Sequence, residues 1–263
     1  MRVDVLTSGI WQTNSTIVSG DGGCVVVDPA YFPRELDAIA EVAAARGGAA
    51  AVVFTHGHWD HVMGHAALPG APVWVSAALA DAVAAGDPRA AQYLADARDF
   101  DARWYVPRPA GHAWPATLRG VDDGARVDLG GVAARAMHLR GHSPDGLALL
   151  FEPLGLLLVG DHLSPCEIPF VDDVEAYRAT LRRLLDLLAG DVREVVPGHG
   201  RRLTAAEAAA IARDDLAYLD RLVEVGARHD VAAARAMPLP RAADVAGMAD
   251  HHRDNCAKVG VAV

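Results

Sequence analysis

At 263 residues, with 52% apolar and 22% charged side chains, the chain has ordinary globular usage and enough length to bury a large core, as one large α/β domain or two small ones. No apolar run approaches the roughly 20 residues that span a bilayer, so no membrane association is expected. Formal charge is −10, from 24 basic and 34 acidic residues with Lys258 the only lysine; this argues against a nucleic-acid partner, because such binders carry a basic patch.

In chain order, residues 1–6 lack the basic region, apolar segment and cleavage site of a secretory signal, so a cytoplasmic location is expected. Residues 4–10, 15–19 and 24–27 read as strands, with Asp21-Gly22-Gly23 as the second turn. The third strand ends at Asp28-Pro29, where its tip exposes a carboxylate. Phe32-Pro33 opens a helix to about residue 46, closed by Gly47-Gly48, and residues 51–54 form the next strand. Residues 72–75 read as strand, and 77–98 as helix interrupted at Gly86-Asp87-Pro88. Residues 100–114, aromatic and proline-containing with little periodicity, are expected to form an irregular loop, either a lid over a pocket or a surface loop anchored by its aromatics. Alternation over 125–139 predicts a hairpin around Gly130-Gly131, and strands follow at 147–151 and 156–159. A helix over 174–188, a strand over 194–196, a helix over 205–229 begun by the capping box Thr204-Ala205-Ala206-Glu207, and a last helix over 242–258 complete the chain. A single domain over 1–263 is expected, with 205–260 as its C-terminal helices. Cys24, Cys166 and Cys256 are odd in number and far apart, which suits a reducing compartment and provides neither a disulfide framework nor a thiolate metal site.

Directly after the apolar run 51–54 stands Thr55-His56-Gly57-His58-Trp59-Asp60-His61, which places three imidazoles and a carboxylate within six positions. His56 and His58 are two apart, so on an extended chain they point to the same side, while Asp60 and His61 follow where the backbone must turn. Four metal-capable side chains can then converge on a space wide enough for two ions. Other apolar runs end in the same way, at Asp28, Asp161 and His199, and His142 sits in a Gly-Ser-Pro turn. Strand ends that each deliver such a residue are expected where strands are parallel neighbours or share one sheet rim. Imidazole and carboxylate without cysteine suit zinc, iron or manganese, with zinc the default for a histidine-rich hydrolytic site.

From Asp28 to His199, in order, these motifs resemble the metallo-β-lactamase-fold hydrolases, and in particular their glyoxalase II and lactonase-like branch. The resemblance implies an α/β architecture, the αββα sandwich of two mixed sheets face to face with helices outside. It also implies two divalent metal ions, Zn2+ by default with Mn2+ or Fe2+ as alternatives. His56, His58 and His142 are then the ligands of the first ion, Asp60, His61 and His199 those of the second, and Asp161 the carboxylate bridging both. Asp60 and Asp161 carry the catalysis, and Asp28 orients the histidine loop from behind without ligating. The implied reaction is hydrolysis of an ester-type bond (thioester, lactone or related carboxylic ester) through a metal-bridging hydroxide, which two ions about 3.5–4 Å apart make available at neutral pH.

Departures narrow the substrate. β-Lactamases of this fold place cysteine or serine at the bridging position, so Asp161 argues against antibiotic hydrolysis. Glyoxalase II keeps all the ligands, but His162-Leu163-Ser164-Pro165 differs from its pattern after the bridging aspartate, and no basic glutathione-binding cluster stands near the C-terminus. Lactonases of this fold use a tyrosine on the substrate carbonyl, for which Tyr177 and Tyr218 are candidates. The alternative from another class is a mononuclear iron persulfide dioxygenase-like oxidoreductase, whose pattern after the bridging aspartate is not matched by Ser164-Pro165-Cys166-Glu167-Ile168; a metal-binding non-enzyme is the third reading. His162 and Trp59 are candidate substrate contacts. His65 is expected near the site without ligating, His138 to be structural, His112 to sit in the aromatic loop, and His229, His251 and His252 to be solvated. Trp11, Phe32, Trp59, the 100–114 loop, Ile168-Pro169-Phe170 and the last helices are candidate walls, mostly apolar, which suit an acyl or lactone substrate of moderate size over a polyanion. Monomer and dimer both remain open.

Overall fold

The computed structural model describes residues 1–241 and 247–263. The chain forms two compact units, one of Met1–His138 with Asp145–Leu154, the other of Leu139–Pro144 with Gly155–Val263.

The first unit opens with β1 (Arg2–Thr7), β2 (Asn14–Gly20) and β3 (Gly23–Val27), followed by α1 (Pro33–Ala45) and β4 (Ala49–Val53). After them come α2 (Trp59–Val62), β5 (Val73–Ser76), α3 (Ala77–Ala85), α4 (Pro88–Trp104), β6 (Leu118–Val121), β7 (Arg126–Asp128), β8 (Ala133–His138) and β9 (Leu147–Phe151). One six-stranded sheet runs β1-β2-β3-β4-β5-β6, antiparallel through β3 and parallel from β3 onward. The change of direction follows from the chain: a two-residue turn joins β2 to β3, whereas α1 carries the chain back over the sheet between β3 and β4. Both strands are apolar along their length, with Val25, Val26, Val27, Val52 and Val53 all buried, as parallel strands covered on two faces require. Around them Ile17, Tyr31, Ile39, Phe54, Val75 and Leu79 close the core.

Helix α1 starts where it does because Pro33 occupies the first turn and Glu35 supplies the acceptor: its carboxylate takes the N–H groups of Tyr31 and Phe32 and the Ser8 hydroxyl. It stops at Gly47 and Gly48, both in the left-handed region.

The second unit comprises β10 (Leu156–Leu158), α5 (Val174–Leu188), β11 (Glu194–Val196), β12 (Leu203–Thr204), α6 (Ala205–Arg228), α7 (Val231–Arg235) and α8 (Met248–Lys258). β10 pairs parallel with β11, and β11 antiparallel with β12. The second six-stranded sheet has the order β12-β11-β10-β9-β8-β7. The expected capping box forms: Thr204 Oγ1 accepts the Glu207 N–H at 3.3 Å, and Glu207 Oε2 accepts the Thr204 N–H at 2.8 Å. Helix α6 then buries Ala208, Ala212, Asp215, Leu219 and Leu222 along one stripe.

Three expectations change. Residues 100–104 are not loop but the last turns of α4, because Tyr93, Ala97 and Asp101 continue its buried face until Tyr105 ends it in the left-handed region. In the rest of that segment, Arg108 and His112 both donate to Asp101, and the Trp114 indole donates to the Ala90 carbonyl at 3.1 Å. The last helix is described only as Met248–Lys258, and the part of the expectation on 242–246 lies outside the described residues. Strands β6 and β12 and helix α7 were not expected; all are short and have little periodicity of their own.

Candidate functional site

In the first unit β3 and β4 are parallel neighbours, and their carboxyl ends deliver Asp28 and the histidine stretch side by side. Asp28 is buried with φ at +50°, a conformation that aspartate tolerates better than most residues. Its Oδ1 accepts the Thr55 N–H at 2.7 Å, and its Oδ2 accepts the Thr55 hydroxyl at 2.6 Å. That same Oδ2 lies 3.0 Å from His61 Nδ1. A carboxylate only accepts, so His61 carries its proton on Nδ1 and presents Nε2 as a lone pair, 3.3 Å from Asp60 Oδ2.

The other donors of this loop lie beside that pair. His56 Nε2 is 3.0 Å from His58 Nδ1, and the rings of His56 and His61 are 4.4 Å apart. Thr13, on the chain entering β2, places its hydroxyl 3.2 Å from Asp60 Oδ2. Gly57 lets the loop pack closely on its surroundings: a Cβ there would overlap the Tyr93 ring and the Asp145 carboxylate. His56, Asp60 and His61 are buried and His58 half-buried. His65, on a short 3₁₀ turn, bonds the Val62 carbonyl at 3.3 Å, and burial lowers its pKa. Trp59, between His58 and Asp60, packs on Trp11, Tyr31 and Phe100 with centroids 5.2, 5.0 and 4.6 Å away. Trp11 is exposed.

The second unit repeats the device. β10 and β11 are parallel neighbours, and Asp161 and His199 each stand three residues beyond them. Asp161 Oδ2 is 3.1 Å from His142 Nε2 and 3.3 Å from His199 Nε2, so one carboxylate oxygen faces two imidazoles. The loop bearing His142 is seated on the start of α5: the Gly141 carbonyl accepts the N–H groups of Asp172 and Asp173, and Thr180 donates to the Arg140 carbonyl at 2.7 Å. Gly141 has φ at +117°, and a Cβ would overlap the Tyr177 backbone. His142 donates from Nδ1 to the Phe170 carbonyl at 3.1 Å, which leaves Nε2 toward Asp161.

The remaining candidates are placed as follows. His162 is buried, its ring 4.7 Å from that of Tyr177. Tyr177 is itself fully buried, and burial, with Asp215 and Asp161 nearby, raises its pKa well above the ordinary tyrosine value. Tyr218 is committed to His252 and Asn255. His252, expected to be solvated, is buried between the Tyr218 hydroxyl and the Ala234 carbonyl, because α8 packs that face inward. His138 bonds the Val121 carbonyl and His112 bonds Asp101, both structurally. The three cysteines are buried, and none is in a disulfide among the described residues. Thr13, Thr55 and the Phe170 carbonyl went unnoticed in the sequence; only Thr55, adjoining the histidine stretch, carried any signal there.

These residues fit a divalent metal ion. Buried imidazole nitrogens face one another or a shared carboxylate oxygen with no thiolate among them, and Asp28 and the Phe170 carbonyl hold the rings of His61 and His142 from behind, as metal-ligating histidines are generally held.

Two mixed six-stranded sheets with helices, and histidine-aspartate clusters at the ends of parallel strands, define an α/β protein of the metal-binding class. Residues 8–199 match the model of the metallo-beta-lactamase superfamily, and the chain belongs to that family and has its α/β sandwich fold. Among solved structures it is similar to TTHA1623, determined in a di-iron-bound form, at 27% identity and TM-score 0.59, covering 78% of this chain and 96% of that one. It is similar in fold to the metallo-beta-lactamase family protein TTHA1429 from Thermus thermophilus, at 18% identity and TM-score 0.66 over 98% and 93% of the two chains. ETHE1 from Myxococcus xanthus shares the fold at 16% identity and TM-score 0.58 over 98% and 100%. No curated protein matches the sequence. None of the described helices is long and apolar enough to cross a membrane.

Proposed function

We propose that this protein is a metal-dependent hydrolase that cleaves an ester-type bond, a thioester, lactone or related carboxylic ester, at a centre of two divalent ions. In this reading His56, His58 and His142 would hold one ion, Asp60, His61 and His199 would hold the other, and Asp161 would be the carboxylate shared between them. The observation that carries the proposal is the Asp161 carboxylate, whose Oδ2 stands within 3.3 Å of both His142 Nε2 and His199 Nε2, imidazoles assigned to different ions. Zinc is the metal proposed from the donor chemistry, while the di-iron form of TTHA1623 keeps iron in view.

When bound, such ions lower the pKa of water to about 7 and polarise a carbonyl oxygen. The chain's own residues prepare that chemistry. Asp28 and the Phe170 carbonyl each take an Nδ1 proton, so His61 and His142 present Nε2 in a fixed orientation. Thr55 holds Asp28 through two hydrogen bonds, and Thr13 steadies Asp60. Burial of these groups excludes competing water. Trp59, with Trp11 beside it, offers an aromatic surface next to the histidine loop, which suits an acyl or lactone group of moderate size. The formal charge of −10 supports a small-molecule substrate over a nucleic-acid partner, and the three widely spaced cysteines suit the reducing cytoplasm.

A panel of thioesters, lactones and phosphodiesters, assayed with zinc-, manganese- and iron-loaded protein, tests the reading. Hydrolysis of an ester-type substrate with about two ions per chain is expected. Failure of every metal form to hydrolyse any of them, with oxygen consumed on a persulfide, would overturn it.

A further inference from the structure

The family match ends at residue 199, yet one of the best-connected polar groups in the second unit lies beyond it, on α8. Asn255 is 1% exposed. Its Oδ1 accepts the Val171 N–H at 3.0 Å, and its Nδ2 donates to the Pro169 carbonyl at 2.6 Å and to the Tyr218 hydroxyl oxygen at 3.0 Å. Tyr218 passes its own proton on to His252 Nδ1 at 2.9 Å, and His252 Nε2 donates to the Ala234 carbonyl at 2.9 Å. Every donor in this chain has an acceptor, and only one set of amide, hydroxyl and tautomer orientations satisfies it.

The peptide between Phe170 and Val171 joins that network to the candidate metal site. Its N–H is the group held by Asn255, and its C=O is the group that accepts the His142 Nδ1–H at 3.1 Å. A peptide unit is planar, and in the trans form its N–H and C=O point in opposite directions. Fixing one side of the plane therefore fixes the other. With the carbonyl held, His142 keeps its proton on Nδ1 and its Nε2 lone pair directed toward Asp161.

We infer that Asn255, braced by Tyr218 and His252, is a positioning residue for His142: it locks the Phe170–Val171 peptide and thereby sets the tautomer and ring orientation of a metal donor. The inference rests on His142 ligating metal, as proposed above. It gives the C-terminal helices a part in the metal site, although they contribute no ligand to it. A purely structural clamp would hold α8 in place without affecting His142.

The test measures zinc affinity by competition with a chromophoric chelator, together with the ring Nδ1–H resonance of His142 in zinc-loaded protein labelled with ¹⁵N-histidine. Asn255→Ala is expected to weaken one zinc equivalent by about 10–100-fold, the usual cost of removing a group that orients a ligand, and to broaden or shift the His142 resonance. Asn255→Ser, too short to reach Val171 but still polar, replaces the alanine variant if that one does not fold. A folded alanine or serine variant with unchanged zinc affinity and an unchanged His142 resonance overturns the inference. His142→Ala separates the two levels: if it leaves zinc binding intact, the functional reading fails, whereas loss of an ion in His142→Ala with none in Asn255→Ala removes this inference alone.

Discussion

Replacing Asp28 by asparagine tests the orienting role with almost no change of shape. Asparagine tolerates the +50° φ of this position and keeps one oxygen for the Thr55 N–H. It then turns an NH2 group toward the Thr55 hydroxyl, which can rotate to accept, and toward His61 Nδ1–H, which cannot, so two donors meet at His61. His61 can relieve the conflict only by moving its proton to Nε2, the nitrogen facing Asp60, and that removes its lone pair from any ion. Losing one buried, charge-assisted hydrogen bond costs the fold about 1.5–3 kcal/mol. At roughly 2–4 °C per kcal/mol for a chain of this size, melting should fall by about 3–12 °C. One metal equivalent should weaken by about 10–100-fold, or about 1.4–2.8 kcal/mol. Chelator competition at neutral pH reads the second effect, and thermal unfolding of metal-free protein reads the first. An Asp28→Asn protein that binds two ions with wild-type affinity would refute the orienting role, whatever its melting temperature.

His58→Ala should leave fewer than two metals per chain by elemental analysis and reduce ester hydrolysis by about 100-fold or more; full stoichiometry with intact activity would remove His58 from the ligand set. Asp101 is buried with Arg108, and hydrogen bonds from Arg108, Tyr31 and His112 outweigh the upward push of burial and hold its pKa below the usual carboxylate range. Asp101→Ala should therefore destabilise the chain by about 3–5 kcal/mol in denaturant titration, because a buried cation loses its partner. Glu207 is lowered to about 2 by the Thr204 N–H, Arg201 and the Thr204 hydroxyl. Since its folded pKa lies below its unfolded one, its contribution is complete above about pH 4.5 and disappears as pH falls toward 2. Melting curves of wild type and Glu207→Gln should therefore differ at pH 7 and converge near pH 2. Gly141→Ala, which would drive a Cβ into the Tyr177 backbone, should either unfold the chain or displace His142 and release metal, measured by circular dichroism and metal content.

Much of the site was legible because its chemistry is local. The four candidate donors of the histidine stretch occupy six consecutive positions, Asp28 follows an apolar run directly, and Asp161 and His199 follow theirs within three residues, so their residue types and the runs before them could be read without coordinates. The supporting groups were not. Asn255 and Phe170 are 85 positions apart and meet only through packing of α8, and a backbone carbonyl leaves no mark on residue identity. The same limit explains α4: its amphipathic stripe fades among aromatics after residue 98, and only burial of Asp101 against Tyr31, Arg108 and His112 shows that the helix continues. His252 looked solvated because a histidine on a polar helix carries no sign of which face packs inward.

By itself the sequence determined the α/β class and most of the strand runs, and through the order of its motifs it named seven candidate donors, because strand periodicity and ligand chemistry are both written in neighbouring side chains. Only the tertiary structure decided that the candidate donors other than His142 arise at two parallel strand pairs, β3 with β4 and β10 with β11, and which nitrogen of His61 and of His142 carries the proton. Those choices depend on acceptors far away in the chain, and hydrogen-bond partners distant in sequence are brought together by folding alone.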